Sequence, residues 1–329
     1  AKAGHILESL DNLLAEVIEG NRAFVTEGFP KGNSAAAVNG CWQCHGSKVK
    51  VLEDGALDPA TWPNTGIGRI NPDGSEGSCS ACHSRHQFST EQARKPDNCG
   101  KCHHGPDHPQ KEIYEESKHG ILYRALQDEM NLHKPKRIAG QDYYDAATCA
   151  TCHMSGTPNQ PATHDVGTRL AWNLRAPVSK RTLGWENKLA DMQDVCFACH
   201  SSSFVKGFYT QLDSFVALYN DKFGIPAKEI RDLLMENEIL SKGDFDDKID
   251  WIYWELWHHE GRRARHGAAM SGPDYAWWHG FYECKKRYNS FMREARELIE
   301  HNQKDYKAPD YPNATGDTNK PVEIFGTKK

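Results

Sequence analysis

The sequence predicts a mainly α-helical chain with little or no β structure: a loop-rich core packed around prosthetic groups, with long helices toward the C-terminus. Three observations lead there. Helical periodicity recurs along the chain while strand-like alternation is absent. Apolar residues make up only 38% of the 329 positions and the mean hydropathy is −0.74, low for a chain of this length that must bury a core. Finally, ten of the eleven cysteines fall into five copies of C-x-x-C-H, at Cys41-Cys44-His45, Cys79-Cys82-His83, Cys99-Cys102-His103, Cys149-Cys152-His153 and Cys196-Cys199-His200. Only Cys284 stands apart.

Chance would give about 0.02 copies of this pattern at the chain's own Cys and His frequencies. Two thiols at this spacing add across the vinyl groups of haem, and the adjacent histidine becomes the proximal iron ligand. A zinc site built from C-x-x-C pairs would leave the histidine after every second cysteine without a purpose. A thioredoxin-like dithiol needs one motif in a βαβ setting, not five. The motifs therefore predict a multihaem cytochrome c with five covalently bound c-type haems, with His45, His83, His103, His153 and His200 as proximal ligands. One haem per roughly 66 residues is too dense for separate domains. The macrocycles must pack on one another and fill the interior that aliphatic side chains do not, which makes electron transfer the minimum function.

The elements follow in order. Residues 5–24 carry apolar side chains at Ile6, Leu7, Leu10, Leu13, Leu14, Val17 and Ile18, a helical period. From about 30 to 110 the chain is rich in Gly, Pro, Ser and Asn and reads as loops around three haems. Residues 111–133 read as helix, 141–185 as loop around the fourth haem, and 186–222 as helix through the fifth motif. Gly224-Ile225-Pro226 predicts a break, followed by a short helix to about 240 and long helices from about 245 to 304. Their many aromatics, among them Trp251, Tyr253, Trp254, Trp257, Tyr275, Trp277, Trp278, Phe281 and Tyr282, read as packing. Residues 306–329 read as a polar tail. The expected organisation is thus a haem-binding domain over 1–222, a C-terminal helical region over 223–305, and the tail.

A net charge of −5 and a pI near 6.4, with scattered basic residues, exclude a nucleic-acid partner. No run of 18 apolar residues exists to form a transmembrane segment. Ala1-Lys2 opens on a polar helical pattern with no cleavage site, as in a mature chain. Covalent haem attachment takes place outside the cytoplasm, so the expected location is periplasmic or an equivalent compartment. Gly66-Ile67-Gly68 lacks the third glycine of a dinucleotide loop, and the sequon Asn313-Ala314-Thr315 is a pattern common by chance.

Twelve histidines remain beyond the proximal five: His5, His86, His104, His108, His119, His133, His164, His258, His259, His266, His279 and His301. A transfer haem takes a second axial ligand, usually histidine, whereas a catalytic haem keeps that face open. Twelve for five is a surplus, so some of them serve other purposes.

The stretch GIGRINPDGSEGSCSACHSRHQFSTEQARKPDNCGKCHHGPDHPQKEIYEESKHG (66–120), then TCATCHMSGTPNQPATHDVGTRLAWNLR and SGPDYAWWHGFYE, resembles the hydroxylamine oxidoreductase family of multihaem cytochromes, which includes hydrazine dehydrogenase. The likeness runs from about residue 38 to 290. Family members usually carry eight haems; this chain has five motifs, the haem count of the related pentahaem nitrite reductases. Its first, CWQCHG, resembles the family's catalytic haem site, and His45 stands where those reductases have lysine.

The resemblance implies oxidation of hydroxylamine or hydrazine at the haem of Cys41 and Cys44, with electrons leaving through four further haems to an external cytochrome or quinone-linked acceptor. Reduction of nitrite or hydroxylamine to ammonia, or electron transfer alone, are the alternatives. It also implies a homotrimer in which a neighbour's tyrosine is crosslinked to the catalytic haem, Tyr275 or Tyr282 here with Tyr253 weaker, and a further haem-bearing subunit as a source of the missing three haems. Over the catalytic haem it implies an Asp-His pair, Asp107-His108, with His108 as general base, and Tyr143 as a further distal residue. For the second axial ligands it implies His119 on the second haem, His164 on the third, His5 on the fourth, and His279 or His266 on the fifth.

Overall fold

The computed structural model describes residues 40–62, 64–241, 243 and 245–302. The expected N-terminal helix with His5, and the tail, lie outside the described residues. Within them the chain is mainly helical, and its one sheet is an antiparallel pair, Trp172–Asn173 with Lys180–Arg181. Two compact units emerge from contacts along the chain: residues 40–89 with Gly243, Phe245 and Asp246, and residues 90–241 with 247–302. This division by contact is a different criterion from the division by composition at residues 222 and 305.

The first unit holds two motifs, on the short helices Trp42–Cys44 and Cys79–Cys82. The Gly66-Ile67-Gly68 turn has a structural purpose here: its three amides donate in succession to the carbonyls of Trp42 (2.9 Å), Cys44 (3.1 Å) and His45 (3.0 Å). The Cys44 and His45 carbonyls lie at the helix C-terminus, where such groups lack an intrahelical partner, while the Trp42 carbonyl also accepts the Gly46 amide at 3.2 Å. The approach is close enough that a Cβ on Gly66 would stand 2.1 Å from the Gly46 nitrogen. Trp42 is buried beneath this contact.

The second unit carries the other three motifs and the conventional core. Helices where the sequence reads as loop, Thr90–Arg94 and Pro96–Gly100, put the third motif on a helical turn of its own. The fourth occupies Cys149–Met154, whose N-cap Thr148 and Thr151 form a reciprocal capping box. The stretch expected as one helix over 111–133 is two, Gln110–Glu116 and Lys118–Leu126, because Ser117 leaves helical geometry to cap the second. Likewise 186–222 is Trp185–Phe197 and Ser202–Tyr219, separated at the fifth motif's histidine and the N-cap Ser201.

The break expected at Gly224-Ile225-Pro226 does not occur. A π-helical turn, Asn220–Gly224, runs directly into the helix Ile225–Glu236. Proline at the start of a helix gives up only an amide that would have no partner there, so it does not interrupt the axis. Gly224 is required for a different reason: a Cβ would stand 2.7 Å from the Pro177 carbonyl oxygen.

The C-terminal pair of long helices is also interrupted by π turns. Lys248–Trp254 passes through Glu255–Glu260 into Gly261–Ala269, and Pro273–Ala276 through Trp277–Tyr282 into Glu283–Asn302. Together with Ser202–Tyr219 and Ile225–Glu236 they bury a core that includes Tyr219, Leu234, Ile249, Leu256, Phe281, Phe291 and Ile299, with the thiol of Cys284 inside it. The fully buried Arg265 ties a loop to this core, donating to the carbonyls of Gly261, Ala176 and Trp257 and to Ser179 Oγ, with its guanidinium 3.9 Å from the Tyr219 ring centre.

The aromatics that read as packing divide. Tyr253 and Phe281 are core, whereas Trp277, Trp278 and Tyr282 are more than half exposed.

Candidate functional site

Each motif places its second cysteine and its histidine by one helical turn. The histidine amide donates to the carbonyl of the first cysteine at 2.8 Å for His45 and His83, 3.0 Å for His103 and 2.9 Å for His200. His153 lies inside its helix. The common turn sets both thiols and the imidazole on one side, as a macrocycle with two thioether links and a proximal ligand requires. Two rings are further oriented: His83 Nδ1 lies 3.2 Å from the Ser89 carbonyl and His153 Nδ1 3.1 Å from that of Val166. A proton donated from Nδ1 leaves Nε2 to the metal, the usual arrangement of a ligating histidine. The residues thus fit c-type haem.

In the second unit the motifs form a row. The side chains of Cys99 and Cys149, from the third and fourth motifs, lie against each other, and Cys196 of the fifth motif lies near Cys152. The helix Cys149–Met154 packs on both Pro96–Gly100 and Trp185–Phe197. Groups attached to these thiols would follow one another in motif order.

A cluster of ionisable groups surrounds Asp107. Its Oδ1 lies 2.5 Å from His108 Nδ1, and its Oδ2 lies 3.3 Å from Arg262 Nη1 and 3.7 Å from His258 Nε2. The other nitrogen of His108 is 2.9 Å from the Cys102 carbonyl. Both neighbours of the ring are acceptors only, so both nitrogens carry protons and His108 is an imidazolium. The hydrogen bond and charge of Asp107 raise the His108 pKa accordingly. Burial pushes the Asp107 carboxyl up, but the bond and charge of His108 outweigh it and hold the group down to about 2.

His258 is the opposite kind of imidazole. Burial, and then the charge of Arg262, press it down to about 3, so it is neutral. It stacks on Trp254 at 4.3 Å and 18° and meets the Trp257 edge at 5.1 Å, and its Nδ1 is buried without a hydrogen-bond partner. The π turn Glu255–Glu260 sets His258 and His259 side by side, ring centres 5.4 Å apart, both against Trp254. Such turns are rare and concentrate at functional sites. Arg262, four residues beyond His258, is fixed by the Arg175 carbonyl at 2.9 Å, and burial lowers it to about 10.

Sequence reading finds Asp107 and His108 but misses Arg262, and counts His258 only among the spare histidines. The i, i+4 spacing of His258 and Arg262 marks a shared face, which is the one available signal. Contact with Asp107 across about 150 residues is set by packing alone.

Of the other residues singled out, His266 borders the Asp107 cluster, near Arg262 and His108, and the rest are dispersed. Tyr143 is buried, its hydroxyl 3.2 Å from Ser155 Oγ and its ring 3.3 Å beneath the Arg137 guanidinium. His266 is buried in the helix Gly261–Ala269 with Nδ1 lacking a hydrogen-bond partner, and burial followed by Arg265 presses it to about 3. His164 lies on an exposed loop. His279 is exposed, 2.7 Å from Asp274 Oδ2 and stacked on Tyr275, beside Trp278 and Tyr282, which contact each other at 5.6 Å. Tyr253 is a core residue against Phe291. No helix among the described residues is long and apolar enough to cross a membrane.

Comparison with known proteins agrees with the motifs. A family model described as "Seven times multi-haem cytochrome CxxCH" matches residues 73–244, just over half of the chain, including its second to fifth motifs. A "Probable nitrite reductase-hydroxylamine oxidoreductase fusion protein" of Kuenenia stuttgartiensis is 32% identical over 176 residues, covering 42% of this chain and 20% of that protein. The chain thus spans about a fifth of the length of this curated relative. A solved "Hypothetical multiheme protein" shares the fold with a TM-score of 0.73 at 24% identity, over 82% of this chain and 70% of the other. A reducing HAO-like protein complex of Kuenenia stuttgartiensis follows with a TM-score of 0.56 at 22% identity, over 69% and 60%. Helical fold, motif geometry and family model coincide, and the chain belongs to the multihaem cytochrome CxxCH family.

Proposed function

We propose that this chain is a five-haem oxidoreductase of the extracytoplasmic space that oxidises hydroxylamine or hydrazine, with protons handled by the Asp107 cluster of the second unit. The observation that carries the reading is the pairing of a protonated and a neutral imidazole on Asp107. A c-type haem, when bound, supplies an iron that accepts electrons from a nitrogenous substrate and hands them to neighbouring haems. Removing electrons from an N–H compound also releases protons, so the chain must supply a base. In this reading the proton acceptor is His258, an uncharged imidazole, and not His108, which already holds two protons; the charge of Asp107 works against the burial that weakens His258 as a base. Asp107, 3.7 Å from His258 Nε2, stabilises the imidazolium that forms. His108 and Arg262 keep Asp107 ionised for that purpose, and Trp254 and Trp257 shield the ring from water. The row of the third, fourth and fifth motifs supports an electron path through the second unit.

A second reading runs the same site in reverse. It is favoured by the descriptions of the two Kuenenia stuttgartiensis proteins, one a reducing HAO-like complex and one a fusion that includes a nitrite reductase. Here the imidazolium of His108 would donate protons to a substrate being reduced.

The test is hydroxylamine- or hydrazine-dependent reduction of a soluble cytochrome c by the haem-loaded protein. Turnover supports oxidation. Its absence, together with consumption of nitrite or hydroxylamine by the dithionite-reduced protein, supports the second reading.

A further inference from the structure

The geometry points to Arg169 as the residue that raises the reduction potential of the haem anchored at Cys149 and Cys152, so that this fourth haem holds an electron in preference to its neighbours in the row. The inference rests on family membership and on the order of the motifs, not on the substrate or the direction of the reaction.

Arg169 is only 2% exposed. Its Nη1 donates to the Cys152 carbonyl at 3.0 Å, its Nη2 to the Ser155 carbonyl at 2.6 Å and its Nε to Gln160 Oε1 at 3.1 Å. Both carbonyls lie at the C-terminal end of the helix Cys149–Met154, where a cation suits the helix dipole. The loop that delivers Arg169 also orients the proximal ligand. Thr163 donates its amide to the Met154 carbonyl at 2.9 Å, and His153 Nδ1 lies 3.1 Å from the Val166 carbonyl. The charge is thereby fixed beside the residue that carries a thioether link and the residue that holds the iron.

All three acceptors are neutral, and no carboxylate among the described residues is in ion-pair contact with Arg169. Asp194 is reached only through Gln160, whose Nε2 donates to Asp194 Oδ2 at 2.9 Å; that carboxylate is partly exposed and also accepts from Thr157 and Asn159. The flanking motifs differ. In the third, the corresponding carbonyl of Cys102 meets His108, whose charge Asp107 neutralises in direct contact. Beside the fifth, on the helix Ser202–Tyr219, Asp213 is paired with Arg181 at 2.7 Å. A buried cation without a counter-ion in contact opposes the ferric state, which carries one more positive charge than the ferrous, and so raises the potential. Electrons that enter the row settle on the fourth haem before they leave it.

Potentiometric titration of the fully haem-loaded protein, followed by NMR with each haem methyl traced to its motif, tests this without turnover. The fourth haem is expected to be reduced before the third and the fifth. Arg169→Gln is expected to lower its affinity for an electron roughly tenfold, about 59 mV for a one-electron couple, and Arg169→Lys, which keeps the charge, to hold it within about threefold. Asp194→Asn removes the opposing charge and is expected to raise the midpoint of the same haem. Should Arg169→Gln fail to take up its haems, the order of reduction in the parent and the Asp194→Asn shift decide the matter. A fourth haem reduced after the third or the fifth, equal shifts in Arg169→Lys and Arg169→Gln, or an unchanged or lowered midpoint in Asp194→Asn overturns the assignment.

Discussion

The charge state of single residues decides what the Asp107 cluster can do. Asp107 has a depressed pKa, so its contribution to stability is present above its ordinary value of 3.8 and is lost as pH falls through about 2. His108 has a raised pKa, so its contribution is present below 6.5 and is lost as pH rises through the raised value. Both are in place only between about pH 4 and 6.5. Thermal unfolding of Asp107→Asn against the parent should therefore show its widest gap in that window and a narrower one on either side. Because His108 is partly exposed, the gap should be modest, about 1 kcal/mol or 2–4 °C. A gap independent of pH would contradict the ion pair. His258→Gln keeps the polar shape and removes the basicity; kcat/KM for hydroxylamine should fall by about 10²–10⁴. Unchanged turnover would remove His258 as the base.

At the scale of elements, the sequence reveals what local chemistry dictates. The C-x-x-C-H motifs are legible because two thiols and an imidazole must lie within one helical turn, and the structure gives each such a turn. Breaks are read less well. Ser117 interrupts a periodic stretch by capping, which its hydroxyl permits but its sequence neighbours do not announce, while Pro226, which reads as a stop, sits where a missing amide costs nothing. The π turn that pairs His258 with His259 leaves no mark in the apolar pattern. Arg265 is the long-range tie of the C-terminal helices. Arg265→Met would remove the donor to the Ala176 carbonyl and to Ser179 Oγ, at a cost of about 2 kcal/mol and on the order of 5 °C in Tm, measurable by thermal melting. A shift below about 2 °C would mean that the loop at 176–179 is held by other contacts.

For the whole molecule, composition was a sound guide: a chain with 38% apolar residues concentrates its ordinary core in the C-terminal helices and leaves the motif-bearing regions with short helices and turns. In the proposed function most of the haems are closed and carry electrons, and one is open and does chemistry. EPR spin quantitation of the fully loaded, oxidised protein tests this division most directly. The account predicts one high-spin ferric haem in five, the remaining four being low-spin; five low-spin haems would contradict it and leave a protein that only carries electrons.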